Sequence, residues 1–254
     1  MLSVRDVTFS YPGTYPGAGP LFEGLSLNAA AGEVIAIVGR NGAGKSTFLR
    51  LLNGLLRPTS GEIEIDGKPT KGLKINEIAG FIGTLFQTPE QQLFAATIAE
   101  EVRFGPRQFR LPEAEIEARV ASALTRCGLV GHEKTHPLDL GYAERRFVAL
   151  ASILVNEPNI LLLDEPQRGL DRIWQERLEH IIAEERAQGR TILLVCHDMN
   201  FVLCTATAIL PFGGGNPILV ETNNFFTNGA ALKATSIERP MRLKVEEVLE
   251  NSGC

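Results

Sequence analysis

The sequence predicts an α/β fold with a mostly parallel sheet, an antiparallel β part at the N-terminus and an inserted α-helical subdomain. Three observations carry this. The runs GEVIAIVG (32–39), NILLLDEP (159–166) and RTILLVCH (190–197) are short and continuously apolar, as strands buried on both faces must be. Helical patterns separate them, and strands that alternate with helices pair in parallel. The long stretch 89–155 reads as helical and interrupts that alternation.

Taken in order, LSVRDVTFSYPG alternates in the manner of a strand and breaks at Pro12-Gly13. GEVIAIVG runs straight into glycines, and KSTFLRLLNGL then reads as a helix closed by Gly54. SGEIEIDGK (60–68) alternates again and turns at Asp66-Gly67, a hairpin signal. In LPEAEIEARVASALTRCGL, Pro112 suits a first turn and Gly128 a C-terminal stop. Ile116, Val120, Ala123, Leu124 and Cys127 share one face of that helix. IWQERLEHIIAEERAQG is a further helix, leading into RTILLVCH. The stretch 191–212 reads as a buried strand followed by a helix, and the tail beyond Phe212 carries no clear pattern.

A chain of 254 residues can bury a full core. Its net charge of −5 argues against a sequence-independent grip on nucleic acid, which needs a basic face. Arg5 and Asp6 interrupt any leader-like apolar run, and His197, Asp198 and Asn200 make the most apolar stretch (191–212) too polar to span a bilayer. Cys127, Cys196, Cys204 and Cys254 show no paired spacing, so a reducing cytosol is expected.

The chemistry concentrates in GRNGAGKS (39–46), which matches G-x-x-x-x-G-K-[ST] between a strand and a helix. Gly39, Arg40, Asn41, Gly42, Ala43, Gly44, Lys45, Ser46 and Thr47 form the expected nucleotide loop. Its glycines let backbone N–H groups wrap a triphosphate at a positive helix end. Lys45 is expected to reach the β- and γ-phosphates and Ser46 to hold Mg²⁺. Asp164 and Glu165 end a buried strand, where Asp164 can hold Mg²⁺ through water and Glu165 can polarise the attacking water.

Carrying these motifs over 2–210, the chain resembles the ATP-binding subunits of ABC transporters, with a P-loop NTPase core. The resemblance implies that Gln87, in GTLFQTPEQQLF, touches Mg²⁺ and the lytic water. It implies that Tyr11 stacks on adenine, that Asp171 ends a dimer-crossing loop (PQRGLD), and that His197 contacts the γ-phosphate. LFQTPEQQLFAATIAEEVRFGP is similar to the segment of energy-coupling factor (ECF) transporters, importers of vitamins, cobalt or nickel. Gln91, Gln92, Leu93 and Phe94 then resemble the helix start that meets a membrane coupling protein. IERP (237–240) resembles part of that family's C-terminal region.

The family signature, Leu-Ser-Gly-Gly-Gln, falls on Leu140, Gly141, Tyr142, Ala143 and Glu144 when counted back from Glu157-Pro158. A register starting at Leu138 would misplace Arg145 and Arg146. Gly141 therefore replaces the serine that would bond the γ-phosphate across a dimer, a contact worth on the order of 1 kcal/mol. Tyr142 is the larger departure, since its bulk could crowd the nucleotide or pack on it. The signature is expected to be divergent but usable.

The expected organisation is a nucleotide-binding core (1–88), a helical subdomain with the signature (89–155), the rest of the core (156–212) and an extension (213–254) that could serve dimerisation. The expected function is ATP hydrolysis that drives an ECF-type importer for a vitamin or transition metal. ATP and Mg²⁺ are its cofactors. The expected partners are a second ATPase subunit, identical or paralogous, a membrane coupling protein and a substrate-binding membrane protein, at the cytoplasmic face of the cell membrane. An iron–sulfur cluster assembly ATPase and a P-loop kinase are the rival readings.

Overall fold

The computed structural model describes residues 1–13, 19–213, 216–235 and 237–245. Two sheets and a set of helices make up the described chain. The first sheet is antiparallel, with β1 (Leu2–Phe9) between β2 (Phe22–Ala29) and β4 (Ser60–Ile65), and β5 (Lys68–Pro69) at the edge. Ile65 pairs with Lys68 across Asp66 and Gly67, both at positive φ, which is the two-residue hairpin expected there.

The second sheet contains β3 (Val34–Gly39), β6 (Ile82–Leu85), β7 (Ile160–Asp164), β8 (Thr191–Val195), β9 (Ala208–Phe212) and β10 (Val220–Glu221). Its order is β10-β9-β3-β8-β7-β6, parallel except for the antiparallel β9–β10 pair. Every residue of β3, β7 and β8 is buried, which is why those strands read as unbroken apolar runs. Alternate residues of β3 serve two cores. Ile35 and Ile37 face β1, β2, β4 and helix α1 (Lys45–Leu52), and Val34, Ala36 and Val38 face the helical side.

After the single-turn helix α2 (Ile75–Ile78), that helical side is built from α3 (Ile98–Gln108), α4 (Glu113–Arg126), α5 (Tyr142–Leu154) and α6 (Arg172–Ala187). Ile116, Val120, Ala123, Leu124 and Cys127 are buried together, as their spacing predicts. Arg126 clasps the end of α4 to α6 through Glu184 at 2.8 Å and the buried Glu185 at 2.5 Å.

Several expectations need correction. The stretch 89–155 is not helical throughout. Pro89–Gln92 is a 3-10 turn, and the chain is irregular from Gly128 to Gly141 apart from the 3-10 turn Pro137–Asp139. Gln91, Gln92, Leu93 and Phe94 are therefore not a helix start. The helix begins at Ile98, where the Thr97 side chain accepts from Glu100 N–H. After the short helix α7 (Met199–Thr205) the chain returns as β9, a strand the sequence left unread. The segment after Phe212 adds β10, α8 (Thr222–Thr227) and α9 (Gly229–Thr235), and it buries Phe225 and Phe226 in the helical-side core. Cys127, Cys196 and Cys204 are free thiols, while Cys254 lies outside the described residues.

Candidate functional site

The loop from β3 to α1 shows why glycine stands where it does. Gly39 has φ +140° and Gly44 has φ +94°, conformations that L side chains rarely adopt. A Cβ on Gly39 would collide with the Phe212 carbonyl, and one on Gly44 would lie 2.7 Å from the Phe22 ring. The first helical bond of α1 runs from Phe48 N–H to Gly44 O at 2.8 Å. The N–H groups of Lys45, Ser46 and Thr47 thus have no partner within the helix and face its open, positive end.

Lys45 is buried, and its ammonium donates to Gly39 O at 2.8 Å and Arg40 O at 2.9 Å. Burial lowers its pKa, and the Glu165 and Asp164 carboxylates oppose that fall. Asp164 is buried at the end of β7, and its pKa lies above the ordinary aspartate value. Desolvation is the main cause; a hydrogen bond from Ser46 works against it, and the neighbouring Glu165 charge adds to it.

Glu165 has φ +50°, unusual for a residue with a side chain. Its N–H donates to Val195 O at 2.9 Å, which fixes the turn to the end of β8. Its carboxylate lies 3.4 Å from His197 Nε2 and 3.6 Å from Arg168 Nη1. Beneath His197, burial pushes the Cys196 thiol up to about 12, so it stays protonated and inert as a nucleophile.

Lys45, Glu165 and His197 share one cleft of about 370 Å³. Tyr11, Asn41, Gly42, Gly44, Lys45, Ser46, Thr47, Gln87, Glu165 and His197 line it. The Tyr11 hydroxyl is 2.8 Å from Thr47 Oγ1, and its ring meets Phe9 edge-on. Asp164 lies beside the cleft in a small cavity shared with Ser46 and Gln87. Gly39 and Arg40 turn to a neighbouring cavity lined also by Asp198, Ile237 and Pro240, so the IERP segment lies beside the nucleotide loop. Ala43 faces a third hollow near Phe22 and Phe212.

Other candidates are not gathered there. Asp171 caps α6, accepting from Trp174 N–H at 3.0 Å. Leu140 to Glu144 sit at the start of α5 and do not line the cleft. Gly141 precedes the helix with φ −66°, and its N–H donates to Glu144 Oε2 at 2.7 Å. The Tyr142 ring folds back onto its own chain, and its hydroxyl accepts from Arg146 Nη2 at 2.8 Å.

Arg146 is the residue that sequence reasoning missed. Only 2% exposed, it donates to Glu165 O at 2.9 Å, Pro166 O at 3.4 Å and Gln87 O at 3.3 Å. Its signal was an arginine beside the apolar stripe Phe147, Leu150, Ala151 and Leu154, four residues after a tyrosine.

Gln91, Gln92, Leu93 and Phe94 separate. Leu93 packs on the helical-side core, whereas Phe94 is 66% exposed and stacks edge-on against Phe104 at 4.8 Å. Gln92, Phe94, Phe104 and Phe109 line a groove of about 910 Å³ that also holds Glu77 and Glu101.

Comparison with known proteins agrees with this geometry. Residues 22–168 match the family described as ABC transporter. The energy-coupling factor transporter ATP-binding protein EcfA of Methanothermobacter thermautotrophicus is 36% identical, over 100% of this chain and 81% of its own length. The protein of the same description from Methanocaldococcus jannaschii is 33% identical, over 98% of this chain and 89% of its own length. Among solved structures, cbiO1 of Clostridium perfringens, described as part of the ABC transporter complex cbiONQ, superposes with a TM-score of 0.80. It is 33% identical over 91% of this chain and 92% of its own. An ATP-binding cassette solved as a dimer after hydrolysis, with ADP and Pi, is 27% identical with a TM-score of 0.75, covering 87% and 99% of the two chains. The chain belongs to the ABC transporter family, as an ATP-binding, ATP-hydrolysing subunit of the energy-coupling factor type.

Proposed function

We propose that this ATPase energises an importer that carries a vitamin or a transition-metal ion, working as a peripheral subunit at the cytoplasmic face of the cell membrane. The observation that carries the ATPase part of this reading is the gathering of Lys45, Ser46, Gln87, Glu165 and His197 in one cleft. Relatives named as energy-coupling factor subunits over nearly the whole chain support the transport role.

In this reading the free N–H groups at the start of α1 and the Lys45 ammonium hold the triphosphate. Tyr11 supports the base. Mg²⁺ fits the donor set, because Asp164 is buried beside a second carboxylate and a cation would relieve that repulsion. Ser46, Asp164 and Gln87 would hold it, and it would supply charge neutralisation at the phosphates. Glu165 takes a proton from water as its oxygen bonds to the γ-phosphorus, and the bond to the β-phosphate oxygen breaks. His197, 3.4 Å from Glu165, orients that carboxylate and donates to the γ-phosphate.

A second ATPase subunit, identical or paralogous, completes the site. Its signature, the counterpart of Leu140 to Glu144, faces this nucleotide, and Asp171 lies on the loop that crosses between the subunits. The groove around Phe94 receives the membrane coupling protein. Three aromatic rings left exposed on a polar rim suit a protein partner better than water.

Two experiments test this reading. Lys45→Ala is expected to abolish ATP binding, and Glu165→Gln to bind ATP yet hold a closed dimer; hydrolysis at the wild-type rate by Glu165→Gln would sink the base assignment. Phe94→Ser with Phe104→Ser is expected to release the chain from gently solubilised membranes with nucleotide binding intact. Leu93 is left unchanged because it packs in the core. Unchanged retention would sink the docking assignment.

A further inference from the structure

Tyr142 stands at the first position of α5, in place of the first glycine of the family signature. Its ring is seated on Gly169, so closely that a Cβ there would lie 2.7 Å from Tyr142 Cε1. The Arg146 guanidinium carbon lies 5.4 Å from the ring centroid, and Arg146 Nη2 donates to the Tyr142 hydroxyl. The same guanidinium holds the carbonyl of Glu165, whose backbone sits in the left-handed region, and the carbonyl of Gln87. One buried cation thus joins the start of α5, the turn that carries Glu165 and the strand end that carries Gln87. Arg146 Nε has no hydrogen-bond partner, so its terminal nitrogens make all these bonds.

We propose that Tyr142 is a positioning residue for hydrolysis, which acts through Arg146 to set the backbone of Glu165 and Gln87. Its ring packs on the loop before Asp171 and its hydroxyl fixes the guanidinium. Any displacement of the signature helix is therefore passed to Glu165 within the same chain. The inference rests on the reading of Glu165 as the base.

Tyr142→Phe tests it, because the ring stays and only the oxygen that Arg146 uses is lost. Measured on the chain with its partner subunit, kcat is expected to fall roughly tenfold while KM for ATP changes by less than twofold. Trp174, the one tryptophan in the sequence, packs on Phe147 at 4.6 Å and reports the same region. Its emission change on adding ATP is expected to shrink in the variant.

A Tyr142→Phe protein with wild-type kcat and emission response would overturn the proposal, even if its Tm fell. A raised KM with kcat kept would overturn it too, since the ring would then serve nucleotide binding. Failure of the base reading is separate: it shows in Glu165→Gln alone, whatever Tyr142→Phe does.

Discussion

The starts of α1 and α5 both lack a side-chain cap, yet their glycines answer to different constraints. Gly44 is in the left-handed region, hemmed in by the Phe22 ring. Gly141 is in ordinary backbone, and a Cβ there would meet only the tip of the Glu144 side chain at 3.0 Å. The first glycine is required by geometry; the second occupies a place that other small residues could fill. The supports differ as well. The α1 loop is held by backbone contacts and by Lys45 on two carbonyls, whereas α5 is held by the side chains of Tyr142, Arg146 and Glu144. A loop built from backbone leaves its mark as a fixed spelling, and one built from side chains can be respelled.

The strongest way to break this comparison is to add a methyl group at each start. Gly44→Ala combines a disfavoured φ with a steric clash, together about 3 kcal/mol, and is expected to weaken ATP binding roughly hundredfold. Gly141→Ala is expected to leave affinity within about twofold by isothermal titration. Equal losses at both positions would erase the distinction.

Next in size is Arg146→Met, which removes the side-chain support of α5 and strands three carbonyls. It is expected to lower stability by about 2 kcal/mol in urea unfolding, with ATP affinity at the α1 loop reduced far less. A large loss of affinity at unchanged stability would show that the two starts are not supported independently.

Gly141→Ser is expected to tighten the ATP-bound dimer by roughly 1 kcal/mol, about fivefold, when assayed in Glu165→Gln protein. The structure offers the new hydroxyl a rival partner, because Glu144 already reaches back to Gly141 N–H and the serine would complete a capping box. A rise in Tm without a tighter dimer would assign the hydroxyl to the helix start.

The smallest effect sets the scale. Asp66 accepts from the N-terminal ammonium at 2.6 Å, which holds its pKa below the ordinary value, with burial opposing and Asn159 helping. A lowered folded pKa stabilises the protein above the unfolded value of 3.8, and that contribution is lost as pH falls through the folded one. Both partners are well exposed, so Asp66→Asn is expected to cost below about 1 kcal/mol at neutral pH. The difference from wild type is expected to vanish in strong acid.

What the sequence made legible follows from the same contrast. Strands β3, β7 and β8 and the α1 loop were readable because burial on both faces and positive-φ backbone each demand particular residues. Asp164 and Glu165 were readable as candidates because they stand at the end of a buried strand, and His197 only through the family resemblance. β6 and β9 are short and mixed, with Thr84 and Pro211 among their residues, and gave no clear period. Arg146 was hard to read because three of its four acceptors are backbone carbonyls, which every residue carries. The 3-10 turn at Pro89–Gln92 read as helix because a short run of polar residues fits either.

Strands β6 and β7 are hydrogen-bonded neighbours, Ile82 beside Ile160, although α3, α4 and α5 all intervene in the chain. Parallel pairing over such a separation is slow to find, because the entropy of closing the excursion is lost before any ladder bond is gained. The α3, α4 and α5 helices contact one another locally and are able to associate earlier, drawing the two strand ends together. Refolding should then show a helical signal that precedes protection of the β6 and β7 amides from hydrogen exchange. Until those strands meet, Gln87, just beyond β6, and Glu165, just beyond β7, stand on separate pieces of chain.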